Sequence, residues 1–219
     1  MIGYIVPVKA AEASYDFIRE YEITFIIIFS MLVTVVIFYI IYKNRQEKSR
    51  LLKRAQRDAL TGLFNKKTTQ DMIDHFLEEN GKDRCNALMI MDVDYFKQVN
   101  DTYGHMVGDK VLKIFGRLLA KQFREKDIVG RIGGDEFMVL ICNIKDVEIA
   151  KGRAKKLINE VRALQIPELA GSGITISVGI AYSPDHGTTF MELYRHADTA
   201  LYQVKRGGRD GFSVYEKAN

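Results

Sequence analysis

Two short acidic clusters carry the chemistry of this chain. Asp92-Val93-Asp94 closes an apolar run at 87–91, and Asp135-Glu136 follows directly on Gly133-Gly134. The Gly-Gly pair separates two apolar runs, 127–132 and 137–144, and reads as the tight turn of a β-hairpin. Carboxylates converging from two strand ends form an all-oxygen site suited to Mg²⁺, with Mn²⁺ as a substitute. Taken alone, Gly-Gly-Asp-Glu reads equally well as a hairpin with solvated acids, so the surrounding chain has to decide.

The elements that must position these acids follow from hydrophobic periodicity. A helix is predicted over 67–79, stopped near Asn80-Gly81, then a strand over 87–92 and a short helix over 96–100. An amphipathic helix follows over 107–123, with Val111, Leu112, Phe115, Leu118 and Leu119 on its apolar face. The hairpin spans 128–142, a helix 147–164, a strand 173–181, a helix 190–205 and a last strand 212–215. Helices alternate with strands, yet the hairpin is antiparallel. The expected fold class is therefore α/β in the α+β sense: a mixed sheet flanked by helices.

With 219 residues and 47% hydrophobic content, the chain can hold one sizeable domain and extra segments. Residues 23–42 contain no charge and are dense in Ile, Val, Phe and Leu, enough for one pass through a hydrocarbon core of about 30 Å. The acids before it (Glu12, Asp16, Glu20 and Glu22) do not fit a signal peptide. Residues 43–57 carry seven basic side chains against Glu47, whereas 1–42 are net acidic. The positive-inside rule then puts the C-terminal part in the cytoplasm and makes 1–22 a short extracytoplasmic segment. Residues 43–57 read as a basic helical linker able to touch anionic lipid. The remainder, 58–219, is electrically neutral, so the pI of about 8.9 gives no ground for a nucleic-acid partner. Cys85 and Cys142 form no CxxC pair, His75, His186 and His196 show no metal spacing, and His105 has no nucleophile beside it.

Four separated motifs in this order resemble the GGDEF family of diguanylate cyclases. They are Asp58-x-Leu60-Thr61-Gly62-Leu63-x-Asn65; the acidic stretch from Asp92 through Phe96, Lys97, Asn100, Asp101, Gly104, His105, Gly108 and Asp109; Gly133 to Phe137; and Leu201-Tyr202-x-x-Lys205-x-x-Gly208-Arg209. The resemblance covers 58 to about 215, and one departure is Lys66, where the family usually has Arg. It implies a fold like the palm of polymerases and nucleotidyl cyclases, and the condensation of two GTP into cyclic di-GMP with loss of pyrophosphate.

On that resemblance, Asp92, Asp135 and the Val93 carbonyl hold the metal, and Glu136 assists metal binding or deprotonation. Asp94 is either a cap for the helix near Tyr95 or a support behind the metal ligands. The backbone at Phe96 and Lys97, with Lys205 and Arg209 four apart near the end of the last helix, holds the triphosphate. Asn100 and Asp109 read guanine, and Gly133 and Gly134 let the backbone approach the ligand. Arg124-x-x-Asp127 matches the family's product-binding RxxD, an inhibitory site for cyclic di-GMP. Because one domain holds one GTP, turnover requires a homodimer. The alternatives are a catalytically inactive receptor for GTP or cyclic di-GMP, and a membrane-tethered scaffold.

Overall fold

The structure is a computed structural model that describes residues 8–80 and 84–217. The chain separates into two compact units, divided between Lys53 and Arg54. The first is built on helix α1, Val8–Ala55, a single run of 48 residues. Sequence reading divided this region into a tail, a membrane helix and a linker; residues 1–7 of that tail lie outside the described residues. From residue 8 onward the three are one helix, because no Gly or Pro occurs between Val8 and Ala55. Within it, Thr24–Lys48 is long and apolar enough to cross a membrane by length and composition.

The second unit begins with α2, Lys66–Asn80, and its sheet is centred on β1, Asn86–Val93. Then come α3 (Phe96–Tyr103), α4 (His105–Gln122), β2 (Ile128–Arg131), β3 (Glu136–Ile141) and α5 (Val147–Arg162). A short 3-10 turn at Pro167–Leu169 precedes β4 (Ile176–Ser183), α6 (Phe190–Arg206) and β5 (Gly211–Val214). The strand order is β2-β3-β1-β4-β5; β4 and β5 are parallel and every other pair is antiparallel. The mixed sheet expected from the sequence is the one that forms.

Alternation along the strands sends side chains to two cores. Met89, Met91 and Val93 of β1 join Phe137 and Val139 of β3 and Val178 and Ile180 of β4 against Val111, Phe115 and Leu119 of α4 and Leu157 of α5. Leu88 and Ile90 face the other way, with Met138 and Leu140, against Ile73 of α2 and Leu193, Ala197 and Leu201 of α6. By the same alternation Asp92 belongs to the α6 side. Helix α6 lies directly on β4: a Cβ at Gly179 would fall 2.0 Å from the Ala197 carbonyl oxygen and 2.4 Å from the Leu201 nitrogen. Only glycine permits that approach, and it fixes the height of α6 above the strand ends.

One local expectation is corrected. The hairpin connection is the four-residue stretch 132–135, and neither Gly133 nor Gly134 has a positive φ. It is therefore not the two-residue turn that Gly-Gly signals. At Gly133 a Cβ would fall 2.5 Å from Glu136 Oε2, so a side chain there would displace the Glu136 carboxylate. A Cβ at Gly134 would meet nothing within 4 Å.

Candidate active site

The acids converge because β1 and β3 are in register. Asp92 is paired with Glu136 across the two strands, and the Val93 N–H donates to the Asp135 carbonyl at 3.3 Å. Asp92 is buried, and Lys205 reaches it from α6, Nζ to Oδ2 at 2.7 Å. Burial pushes the Asp92 carboxyl above its ordinary value, the Lys205 hydrogen bond opposes this, and the charges of Asp135 and Glu136 reinforce it. Such a crowd of carboxylates is relieved by a cation. Among the described residues no three His, Cys, Asp or Glu side chains gather as a metal cluster. The oxygen groups near this point are the carboxylates of Asp92, Asp135 and Glu136 and the main chain at Val93. That hard-oxygen set fits Mg²⁺, which is commonly held by one or two carboxylates, water and substrate phosphate.

Beside the acids, Tyr95 opens α3 in the left-handed conformation (φ 54) and provides no side-chain cap. The Gln98 and Val99 N–H groups both turn back to the Tyr95 carbonyl, and the Tyr95 side chain makes no capping hydrogen bond to the first turn at Phe96 and Lys97. Asp94 is not the cap. Its Oδ1 accepts from Ser177 Oγ at 2.7 Å, and its Oδ2 accepts from Thr175 Oγ1 at 2.8 Å and from the Asp210 N–H at 3.1 Å. The carboxylate was drawn to these three donors across the chain, a pull that local capping statistics do not include.

Asp94 thereby holds the loop after α6. The helix ends at Arg206, so Arg209 stands beyond Gly207 and Gly208 rather than on the helix. Both Arg209 and Asp210 have positive φ, 65° and 49°. This unfavourable pair is secured by Arg162, whose Nε donates to both Asp210 oxygens at 2.8 and 2.9 Å and whose Nη2 donates to the Asp210 carbonyl at 2.9 Å. Arg209 then lies over the Tyr95 ring, 4.5 Å from its centroid. The two cations of the expected triphosphate clamp thus diverge, Lys205 to Asp92 and Arg209 to the mouth of α3.

Asn100 and Asp109 flank the α3–α4 elbow, where Gly104 takes φ 83. The segment around Pro167–Leu169 braces the elbow from outside: Tyr103 Oη donates to the Leu169 carbonyl at 3.4 Å, and Lys110 pairs with Glu168. On the other side of the hairpin, Arg131 bonds both the Gly134 carbonyl and Asp58. Asp58 also accepts from the Thr61 N–H and hydroxyl, so the first motif folds around its own aspartate.

Arg124 and Asp127 lie between α4 and β2, close in space but unequal in exposure. Arg124 lines a cavity of about 350 Å³ with Lys126, Asn143, Lys145 and Arg153. Asp127 is enclosed behind it. It accepts from the Arg124 and Cys142 N–H groups, at 2.9 and 3.1 Å, and from Arg153 Nη1 at 3.3 Å.

The family described as diguanylate cyclase, GGDEF domain, matches residues 55–211. The chain belongs to the GGDEF family. Among curated relatives, the probable diguanylate cyclase DgcT of Escherichia coli K12 is 38% identical over 174 residues, 75% of this chain and 37% of its own length. The cyclic di-GMP phosphodiesterase PdeR of the same organism is 35% identical over 175 residues, 80% of this chain and 26% of its own. The match therefore spans about a quarter of the one protein and somewhat over a third of the other. Among solved structures, the coiled coil and GGDEF domain of Caulobacter crescentus DgcB, in complex with c-di-GMP, superposes with TM-score 0.74 at 26% identity. That match covers 80% of this chain and 93% of the other.

Within this GGDEF domain, sequence reading left Arg131, Arg153, Arg162 and Asp210 without roles. Arg131 stands just outside the Gly133 to Phe137 motif, and its position two residues before the glycines is a usable signal. Arg162 and Asp210 lie 48 residues apart, and no sequence spacing pairs them.

Proposed function

We propose that this protein is a diguanylate cyclase that condenses two GTP into cyclic di-GMP and two pyrophosphate. The observation that carries the proposal is the in-register pairing of Asp92 with Glu136, with Asp135 in the adjoining loop and Lys205 against Asp92. Asp92, Asp135 and the Val93 carbonyl would hold Mg²⁺, or Mn²⁺ in its place. The metal supplies charge neutralisation on the phosphates and a lowered pKa for the attacking 3′-hydroxyl.

The chain's own groups do the rest. The uncapped mouth of α3 at Phe96 and Lys97 binds phosphate oxygens, helped by the helix dipole. Lys205, beside Asp92, and Arg209, beside Tyr95, meet the triphosphate at two separate points. Asn100 and Asp109 hydrogen-bond guanine, which selects GTP because adenine would leave them unpaired. Gly134, with open space where a Cβ would be, lets the nucleotide approach the loop. Glu136, folded over Gly133, assists the metal ligands or accepts the hydroxyl proton.

Each domain binds one GTP, so the phosphodiester forms between two copies of the chain. α1 anchors the protein in the bacterial inner membrane, with 1–22 outside, 23–42 crossing, 43–57 as the basic linker and the catalytic domain, 58–219, in the cytoplasm. Product returns to the Arg124 cavity and slows turnover, with Asp127 behind the arginines. The presence of c-di-GMP in the DgcB complex, and the basic lining of the cavity, support product binding.

The test is incubation of the full chain, in lipid nanodiscs, with GTP and Mg²⁺. Cyclic di-GMP is expected from GTP, nothing comparable from ATP, and a rate per monomer that rises with the number of copies per disc. GTP binding without turnover would instead identify an inactive receptor.

A further inference from the structure

Gly108 is the fourth residue of α4 and is buried. Its φ is not positive, so the helix does not need glycine there, and glycine in a helix interior costs stability relative to alanine. What its missing side chain provides is space. A Cβ at 108 would fall 1.9 Å from Asn100 Oδ1, 3.0 Å from Asn100 Cγ and 3.1 Å from Phe96 Cζ. The Asn100 amide therefore rests on the Gly108 backbone, in the seam between α3 and α4, with Phe96 beside it. Gly104 serves the same elbow differently: its φ is 83 and a Cβ there meets nothing.

We propose that Gly108 is a specificity-determining positioning residue for the nucleobase. By ceding its side-chain volume to the Asn100 amide, it fixes that amide next to Asp109, its own neighbour in sequence, so that both face one guanine edge. The inference rests on the reading of Asn100 and Asp109 as the base-recognising pair. The atoms nearest to the absent Cβ belong to the free end of Asn100. An alanine at 108 is thus accommodated by Asn100 swinging away, with the helix intact and the phosphate-binding groups undisturbed.

The experiment compares Gly108→Ala, Asn100→Ala and the double variant in the full chain, by thermal melting and by titration with GTP and with ITP, which lacks the exocyclic amine. Gly108→Ala is expected to melt at or above the wild-type temperature. Its GTP affinity should fall about tenfold, and its preference for GTP over ITP should shrink in parallel. Asn100→Ala should show the same loss, and adding Gly108→Ala to it should cost nothing further, because the displaced group is gone. Full GTP affinity in Gly108→Ala, or additive losses in the double variant, would overturn the proposal. If Asn100→Ala itself binds GTP like wild type, the base-reading assignment fails first and takes the inference with it. That outcome is recognised from the single variant alone.

Discussion

Arg131 grips the Gly134 carbonyl with Nε and Nη2, at 3.1 and 2.7 Å, while its Nη1 pairs with both Asp58 oxygens at 3.1 and 3.2 Å. One planar guanidinium thus ties the entry of the domain to the loop that carries Asp135. Lysine keeps the charge but not the fork. Arg131→Lys is expected to lower cyclase turnover about tenfold and to lower stability by about 2 kcal/mol, since it leaves part-buried acceptors unpaired. Turnover and melting measured together check it; an unaffected rate would mean that the loop holds its shape without the arginine.

The same contact has an acid limit. Burial raises the Asp58 carboxyl, but hydrogen bonds from Thr61 and Arg131 outweigh it and hold the group below its ordinary value. A depressed folded pKa contributes stability above the unfolded value of about 3.9, and that contribution is lost as pH falls through the lower folded value. The stability difference between wild type and Asp58→Asn should therefore be constant above about pH 5 and shrink below about pH 4. Melting curves recorded from neutral pH down to well below about pH 4 test it, and a gap that widens in acid would reverse the assignment.

Asp92 sits on the opposite side of the ledger. Its burial beside Asp135 and Glu136 works against the charged carboxylate, and Lys205 offsets only part of that. Asp92→Asn should leave the metal-free protein at least as stable as wild type while abolishing turnover. Mg²⁺ or Mn²⁺ should raise the wild-type melting temperature and not the variant's. Equal stabilisation of both by the metal would remove Asp92 from the ligand set.

Feedback is expected to depend on two arginines. Arg124→Ala should keep the initial velocity near wild type while progress curves lose their early slowing. Arg153→Ala should do the same at some cost in stability, because Arg153 also pairs with the enclosed Asp127. If added cyclic di-GMP leaves the wild-type rate unchanged, the cavity has no inhibitory role in this protein.

How much of this was legible in the sequence differs by the range of the interaction. The expected order of strands and helices in the second unit is the one that forms; periodicity carries it best where an element has one buried side, as in α4, α5 and α6, or is buried throughout, as in β1 and β4. Periodicity missed the turn at Pro167–Leu169, which is too short to carry a period. Asp92, Asp135 and Glu136 were readable since strand ends and a hairpin bring them together by local rules. Of the two roles left open for Asp94, the cap is excluded: its partners Thr175, Ser177 and Asp210 are more than 80 residues away, beyond the reach of local rules. Arg209 was placed near the end of the last helix by its four-residue spacing from Lys205. The Gly207-Gly208 pair ends α6 first, and the two cations go separate ways. The tight turn expected at Gly133 does not need a positive φ, and what the missing side chain leaves room for is the Glu136 carboxylate.

The pairing of Asp92 with Glu136 constrains how this gene can change length. Adding or removing one residue in β3 would turn Glu136 toward the α4–α5 core and Phe137 toward α6, inverting every side chain of the strand at once. Codons there can be exchanged, but not gained or lost singly. Between α5 and β4 no such alternation has to be kept, and a helix-to-strand connection can absorb an extra residue at small cost. Insertions and deletions among descendants of this chain are therefore expected to accumulate at the exposed residues 170–173 and to spare 128–141.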